Sequence, residues 1–371
     1  MDGYPLVWPK TGVARYTFEL ALELARLAPQ HSFDLIAPAA YPPEVLEHIN
    51  QIPNLRAVSV KTNVFTRRWW AIGLPAYVRR AELDLFHGTN YEVPLRNRER
   101  NVLTVHDLSI FSHPETHERR LATRGRRRLR IMMRSAARII TPTAAVKREV
   151  IERFQINPDI VAVTPAAPRK TFQPMPASET LEVKRRLGIA DNFILFVGTI
   201  EPRKNLITLV RAFAELLRNT EHQPQLVIAG PKGWLTGEFD RAVADANFGE
   251  RLRVTGYVGD EDLRALYSSC TAFVSPSLYE GFGLPPLEAL ACGAPVIASR
   301  IAAHVENLGA HAHLFEPTDE RALAKVIATL LENPNERNRP PRSGIEHAAR
   351  FTWEETAKLT LKVYEGLLPK I

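Results

Sequence analysis

The feature that most constrains the fold is an alternation of short apolar runs with amphipathic segments along the 371-residue chain. Six strand-like runs fall in the first half, at Phe33 to Ala37, Leu55 to Val60, Leu83 to His87, Val102 to His106, Arg138 to Pro142 and Ile160 to Thr164. Six more follow, at Phe193 to Val197, Gln225 to Ala229, Leu252 to Thr255, Ala272 to Ser275, Val296 to Ser299 and His313 to Phe315. Strands that alternate with helices predict a doubly wound α/β fold with parallel sheets. Between the two sets, TPAAPRKTFQPMPAS (Thr164 to Ser178) carries four prolines and reads as a linker. The chain closes on FTWEETAKLTLKVYEGLL, an amphipathic helix with Thr352 and Glu355 at capping-box spacing.

Length and composition narrow the class. A chain of this length supports two domains with sizeable cores. Apolar and charged fractions of 45% and 24% are those of a globular protein. No run approaches the roughly 18 uncharged apolar residues of a spanning helix. The start, MDGYPLVWPKTG, lacks the basic and then apolar pattern of a signal peptide. Cys270 and Cys292, the only two cysteines, both fall in apolar segments and read as free buried thiols of a cytoplasmic protein.

The run from Leu278 to Ala298, LYEGFGLPPLEALACGAPVIA, reads as a binding site. Thr271 to Ser277 predicts a buried strand that stops where this run begins, so Glu280 and Glu288 lie beyond a strand's C-terminal edge. Pro285 and Pro286 suit the first turn of a helix, and Gly293 closes it. Gly281 and Gly283 then precede a helix N-terminus, where free N–H groups of an open parallel sheet hold anionic and sugar ligands.

This run resembles the E-x7-E signature of glycosyltransferase family 4, whose retaining members have the GT-B fold of two facing Rossmann-like domains. Other segments resemble the family in colinear order: TGVARYTFEL, FHGTNYEVP, LTVHDLS and RIITPTAAVKREV in the first half, then VGTIEPRKNL, LVIAGPKGW and VTGYVGDEDLRALYSSC. The resemblance implies an acceptor-side domain over 1–172, a nucleotide-sugar domain over 173–345, and a terminal helix over 346–371 that crosses back to the first domain. One departure stands out. Family members open with a strand ahead of the glycine-bearing loop, and here that loop begins at residue 2, so the first strand of the N-terminal domain is apparently missing. As a central strand, its absence is expected to expose hydrogen-bonding edges on both neighbours.

A donor diphosphate needs cations and free N–H groups, because charge develops on it as the glycosidic bond breaks. Arg203 and Lys204 follow the Phe193 strand and suit that task, and the resemblance assigns Lys204 to the diphosphate. Many members carry arginine directly after the strand glycine; this chain has Thr199 there, so Arg203 is expected to supply part of the charge. The resemblance implies that Glu288 accepts from the ribose hydroxyls and that Glu280 lies beside the transferred sugar. It also implies that Gly281, Phe282, Gly283 and Leu284 supply a backbone cradle, that Gly12 lets backbone approach the donor, and that His106 contacts the sugar. His87, His113 and His117 are further acceptor-side candidates.

Two motifs are discounted. Asp260-Glu261-Asp262 precedes LRALYSSC and reads as an acidic helix start, so no metal is required. AGPKGW lacks the spacing and Lys-Ser/Thr ending of a P-loop. No cofactor is expected.

Charge is uneven. Through Phe172 there are 26 Lys and Arg against 16 Asp and Glu, net +10; the remainder has 22 against 25, net −3. Nine arginines lie between Arg119 and Arg138, a solvated helix face or a contact for an anionic membrane surface or lipid-pyrophosphate acceptor. No nucleic-acid reader motif accompanies them. The expectation is therefore a retaining transferase of a hexose, mannose favoured, from a nucleoside diphosphate sugar, GDP-mannose favoured, to a glycan or lipid-linked acceptor of cell-surface polysaccharide synthesis. It would be cytoplasmic, with a peripheral membrane contact. The alternative is a non-catalytic GT-B scaffold whose arginine-rich surface binds anionic membrane or a polyanion.

Overall fold

The computed structural model of the chain describes residues 1–8, 11–63, 68–96, 98–333 and 341–368. The chain forms two compact units. The first comprises Met1–Leu108, Thr123–Ala166 and Thr352–Ile371, and the second Ser109–Ala122 and Ala167–Phe351.

The second unit is built on six parallel strands: β7 (Phe193–Val197), β8 (Gln225–Ala229), β9 (Leu252–Gly256), β10 (Ala272–Ser275), β11 (Val296–Ser299) and β12 (His313–Phe315). Their spatial order is β12-β11-β10-β7-β8-β9. β7, FILFV, sits at the centre, and its first four residues are no more than 1% exposed, so every position needs an apolar side chain whichever face it points to. The helix Leu206–Asn219 covers one face by placing Leu206, Leu209, Val210, Phe213 and Leu216 at helical spacing, all within the core. Strand order reverses between β7 and β10, and the crevice beyond their C-terminal ends is where sheets of this kind hold ligands.

The first unit repeats this wiring in two sheets. One pairs β1 (Phe33–Ala37) with β2 (Leu55–Ser59), and the other runs β3 (Phe86–Gly88), β4 (Asn101–Thr104), β5 (Arg138–Thr141) and β6 (Val161–Val163), all parallel. No strand precedes β1 among the described residues, but the position is not empty. Met1–Gly3 lies between β1 and β3, with the Asp2 amide donating to the His87 carbonyl at 2.8 Å and the Ile36 amide to the Met1 carbonyl at 3.0 Å. The Gly3 amide donates back to the Ile36 carbonyl at 2.9 Å. The expected bare edges are therefore covered by three residues, because one parallel bridge between Asp2 and Ile36 is enough to seat them.

The terminal helix Trp353–Glu365 is capped as its sequence predicts, with the Glu355 amide donating to the Thr352 hydroxyl at 3.1 Å. It packs on the helix Gly12–Leu27 through an edge contact of Trp353 on Tyr16. The proline-rich segment after Thr164 is docked rather than loose. Phe172 is buried edge-on against Tyr267, and the Met175 amide donates to Ser268. Both cysteines are buried free thiols, and burial pushes Cys292 up to about 12. Among the described residues no helix is long and apolar enough to cross a membrane.

Candidate functional site

The loops after β7 and β10 meet at the reversal point of the second unit. After β7 the chain passes through Gly198 and a 3-10 turn, Pro202–Lys204, before Asn205 takes a left-handed φ of 54° and starts the next helix. The Asn205 amide group donates to the carbonyls of Pro276 at 3.0 Å and Pro317 at 2.7 Å. The Leu278 amide donates to the Arg203 carbonyl at 2.9 Å. Residues 75 positions apart are thus held as one surface.

That surface converges on Glu280. Lys204 Nζ donates to one carboxylate oxygen at 2.6 Å, Arg203 to the other at 3.0 Å, and the Ser277 hydroxyl to the first at 2.7 Å. Arg203 also reaches Glu201 at 2.5 Å and the Tyr279 carbonyl at 3.0 Å. Glu280, Arg203 and Lys204 keep 11%, 14% and 13% of their side-chain surface. Burial alone would raise the Glu280 pKa; Lys204 and then Arg203 outweigh it and hold the carboxyl well below its usual range. Glu280 therefore stays ionised at any working pH.

Glu288 lies on the helix Leu284–Ala291, which Pro285 and Pro286 open and Gly283 precedes at a φ of 88° without a side-chain cap. Its side chain is 5% exposed and pairs with Arg169 Nε at 3.2 Å. Arg169 also binds Asp260 at 3.0 Å and lies 4.4 Å over the Phe172 ring. Burial would lower the Arg169 pKa, but Glu288 and Asp260 more than offset it. The acidic triplet is a helix start, with Asp260, Glu261 and Asp262 in the first turn of Asp260–Ser269.

The Gly281 to Leu284 cradle rests on residues outside the motif. Asn307 donates to the Phe282 carbonyl at 2.6 Å. Phe282 is itself buried, edge-on to Phe351. A Cβ at Gly283 would lie 3.0 Å from the His304 ring, so glycine serves there both for its φ and for a close approach. His304 Nδ1 donates to the Ser299 carbonyl at 2.9 Å, and burial lowers its pKa, so a neutral imidazole underlies the loop.

In the first unit, Gly12 opens the helix Gly12–Leu27, and a Cβ there would meet nothing within 4 Å among the described residues. The fold itself does not require glycine at that position. His106 follows β4 and has Nε2 2.7 Å from the Thr89 carbonyl, to which it must donate. Burial lowers its pKa, and Tyr16 and Tyr91 pack edge-on against the ring. Nδ1 is left as an acceptor, suited to a hydroxyl donor.

Of the three further histidine candidates, one is taken up by the fold and two lie on a segment of the second unit. His87 is fully buried, with Nδ1 2.7 Å from the Tyr364 hydroxyl and Nε2 2.7 Å from the Thr104 hydroxyl, so both ring nitrogens are used by the fold. His113 and His117 sit on Ser109–Ala122, which belongs to the second unit although it lies between β4 and β5 of the first. His113 packs 5.7 Å from the Tyr279 ring, next to Glu280, and His117 stacks on Trp234 at 6.3 Å. Sequence reasoning also missed Arg169, His304, Asn307 and Glu201. Only Glu201 carried a signal, as the acidic neighbour of Arg203 within IEPRKN.

Comparison with known proteins gives two family models in tandem. Residues 10–167 match Glycosyltransferase Family 4, and residues 179–347 match Glycosyl transferases group 1. The chain is 30% identical to the O-antigen chain mannosyltransferase B of Escherichia coli, over 98% of both proteins. Among solved structures it superposes on sucrose-phosphate synthase from Thermosynechococcus elongatus with a TM-score of 0.76 and 25% identity, covering 96% of this chain and 94% of that one. Anabaena HepE, solved in complex with UDP and glucose, gives a TM-score of 0.76 at 18% identity, over 99% and 97% of the two chains.

Proposed function

The chain belongs to glycosyltransferase family 4 and has its GT-B fold, and on that premise we propose that it is a retaining, metal-independent transferase of mannose from GDP-mannose to a glycan or lipid-linked acceptor in polysaccharide synthesis. The observation that carries this reading is the Arg203–Glu280–Lys204 cluster at the strand-order reversal, with buried Glu288 on the helix that follows. A relative that matches over 98% of both chains is a mannosyltransferase by name, which favours mannose.

In the mechanism we favour, the donor diphosphate is bound by Arg203 and Lys204 and by the amides of Gly283 and Leu284, which precede the N–H-less Pro285 and Pro286 at the start of the Leu284–Ala291 helix. Glu288 binds the ribose hydroxyls. Glu280 remains a carboxylate beside the sugar, where its charge stabilises the positive charge that grows on the anomeric carbon. His106 Nδ1 accepts from a sugar hydroxyl. The leaving phosphate helps deprotonate the acceptor on the same face, so configuration is retained.

Glu280→Gln tests the assignment. Its transfer of mannose from GDP-mannose is expected to fall by about 100-fold or more, in line with loss of one preorganised electrostatic group. Undiminished transfer overturns the assignment. A thermal-shift comparison of GDP-mannose, UDP-glucose and ADP-glucose tests the donor, with the largest stabilisation expected from GDP-mannose.

A further inference from the structure

The first unit contains a cavity of 740 Å³ that no part of the donor chemistry uses. One wall is the helix Arg119–Arg134, which presents Arg124, Arg127, Arg128 and Ile131 at helical spacing; Arg68, Trp69 and Trp70 form the other wall. The volume falls within the range of small-molecule sites, and the cavity is open to solvent along its arginine wall.

Its charge is poorly balanced from within. Arg128 pairs with Glu92, whose side chain is 14% exposed. Arg68, Arg124 and Arg127 have no carboxylate partner among the described residues. Three guanidinium groups around one concavity repel each other unless an anion joins them, and their planar forks suit phosphate oxygens.

The opposite wall adds a different kind of contact. Trp69 and Trp70 lie on a π-turn, Trp69–Gly73, a backbone form that concentrates at functional positions. Trp69 is 6% exposed, and its Nε1–H is buried without an acceptor among the described residues. A buried indole N–H without an acceptor is costly, and a ligand oxygen would relieve it. Indole faces also pack against the apolar faces of sugar rings.

We propose that this cavity binds the phosphorylated end of the acceptor, a saccharide 1-phosphate or 1-diphosphate, with the phosphate on Arg68, Arg124 and Arg127 and the sugar against Trp69 and Trp70. The inference rests on the transferase reading above and names its acceptor class. A flat bilayer is a poorer occupant, because the cavity is concave and Trp69 is too buried to enter lipid. The same phosphate chemistry is offered by a lipid-linked saccharide and by a soluble sugar phosphate.

The test uses the full chain saturated with GDP, so that the donor site is closed to the probes. Calorimetry then follows mannose 1-phosphate, a prenyl-diphosphate-linked mannose and phosphatidylglycerol vesicles. The paired variant Arg124→Gln/Arg127→Gln is expected to weaken binding of a mannose phosphate by about tenfold or more, with GDP affinity unchanged. Arg120→Gln/Arg126→Gln removes the same charge outside the cavity and is expected to leave that binding intact. Preference for the prenyl-linked probe identifies a lipid-linked acceptor; equal binding identifies a soluble one. Wild-type protein that binds neither sugar phosphate overturns the proposal, as do equal losses in the two paired variants or a loss confined to vesicles. Failure of GDP to bind instead overturns the donor reading, while the sugar phosphate titrations still judge the cavity.

Discussion

The two units share one wiring plan but handle their ionisable groups in opposite ways. In the first, burial drives groups toward neutrality: Asp2 and Glu92 are pushed up to about 7, and His87 is pushed down to about 3. In the second, charges are kept by pairing, so Glu280 remains an anion between two cations and Arg169 remains a cation between two carboxylates. His304 is an exception, a neutral ring beneath the glycine loop. A reaction that breaks a bond to a diphosphate needs fixed charge on the donor side. Holding a neutral sugar needs oriented but uncharged groups, the part proposed for His106.

The sharpest way to break this contrast is Lys204→Ala. It removes the shortest contact to Glu280, and kcat/KM for mannosyl transfer should fall by about 100- to 1000-fold. Steady-state kinetics at varied GDP-mannose would reveal it, and a loss of only a few-fold would mean that Arg203 alone carries the diphosphate.

Arg169→Met attacks the second pairing. It leaves Glu288 buried without its guanidinium partner and is expected to destabilise the protein by about 3 kcal/mol, read from denaturant unfolding. GDP stabilisation should shrink with it if Glu288 holds the ribose as proposed, since its carboxylate would turn or take up a proton.

The first unit's neutrality is tested by pH. The unfolded chain protonates His87 below about 6.5, while the folded chain does so only near 3, so the fold loses stability as pH falls through that window. Asp2 and Glu92 slope the other way, because the folded acids keep a proton that the unfolded chain releases above about 4. The comparison is therefore between wild type and His87→Gln. From pH 6.5 to 5 the variant should lose about 2 kcal/mol less stability than wild type. Identical pH profiles would show that His87 takes up its proton in the fold at the same pH as in the unfolded chain.

The smallest effect is expected at Gly12. With no atom within 4 Å of an added Cβ, Gly12→Ala should leave the unfolding midpoint essentially unchanged while weakening GDP-mannose binding. Equal donor affinity in the two proteins would show that no ligand approaches there.

Sequence patterns located all twelve strands of the described residues, because runs such as FILFV and AFVS are too short for a buried helix and rich in β-branched and aromatic residues. The Glu280 and Glu288 loop was legible because glycine, proline and carboxylate there follow a strand end. Arg169 was not, since its partner Glu288 lies 119 positions away and its own setting reads as a linker. His304 was hidden for a similar reason: on a seven-residue helix its role depends on Gly283 passing over it, a matter of packing rather than spacing. The Ser109–Ala122 segment shows a further limit, for chain order alone does not say which unit a connecting stretch joins.

Asn205 has a consequence for the rate of encounter with substrate. By fastening the loop after β7 to carbonyls of both Pro276 and Pro317, it makes the walls of the crevice a single rigid rim. The entropy of ordering those walls is then lost when the chain folds rather than each time a donor arrives, so capture need not wait for the walls to assemble. Replacing one amide side chain would turn a standing receptacle into one that each arriving molecule has to build.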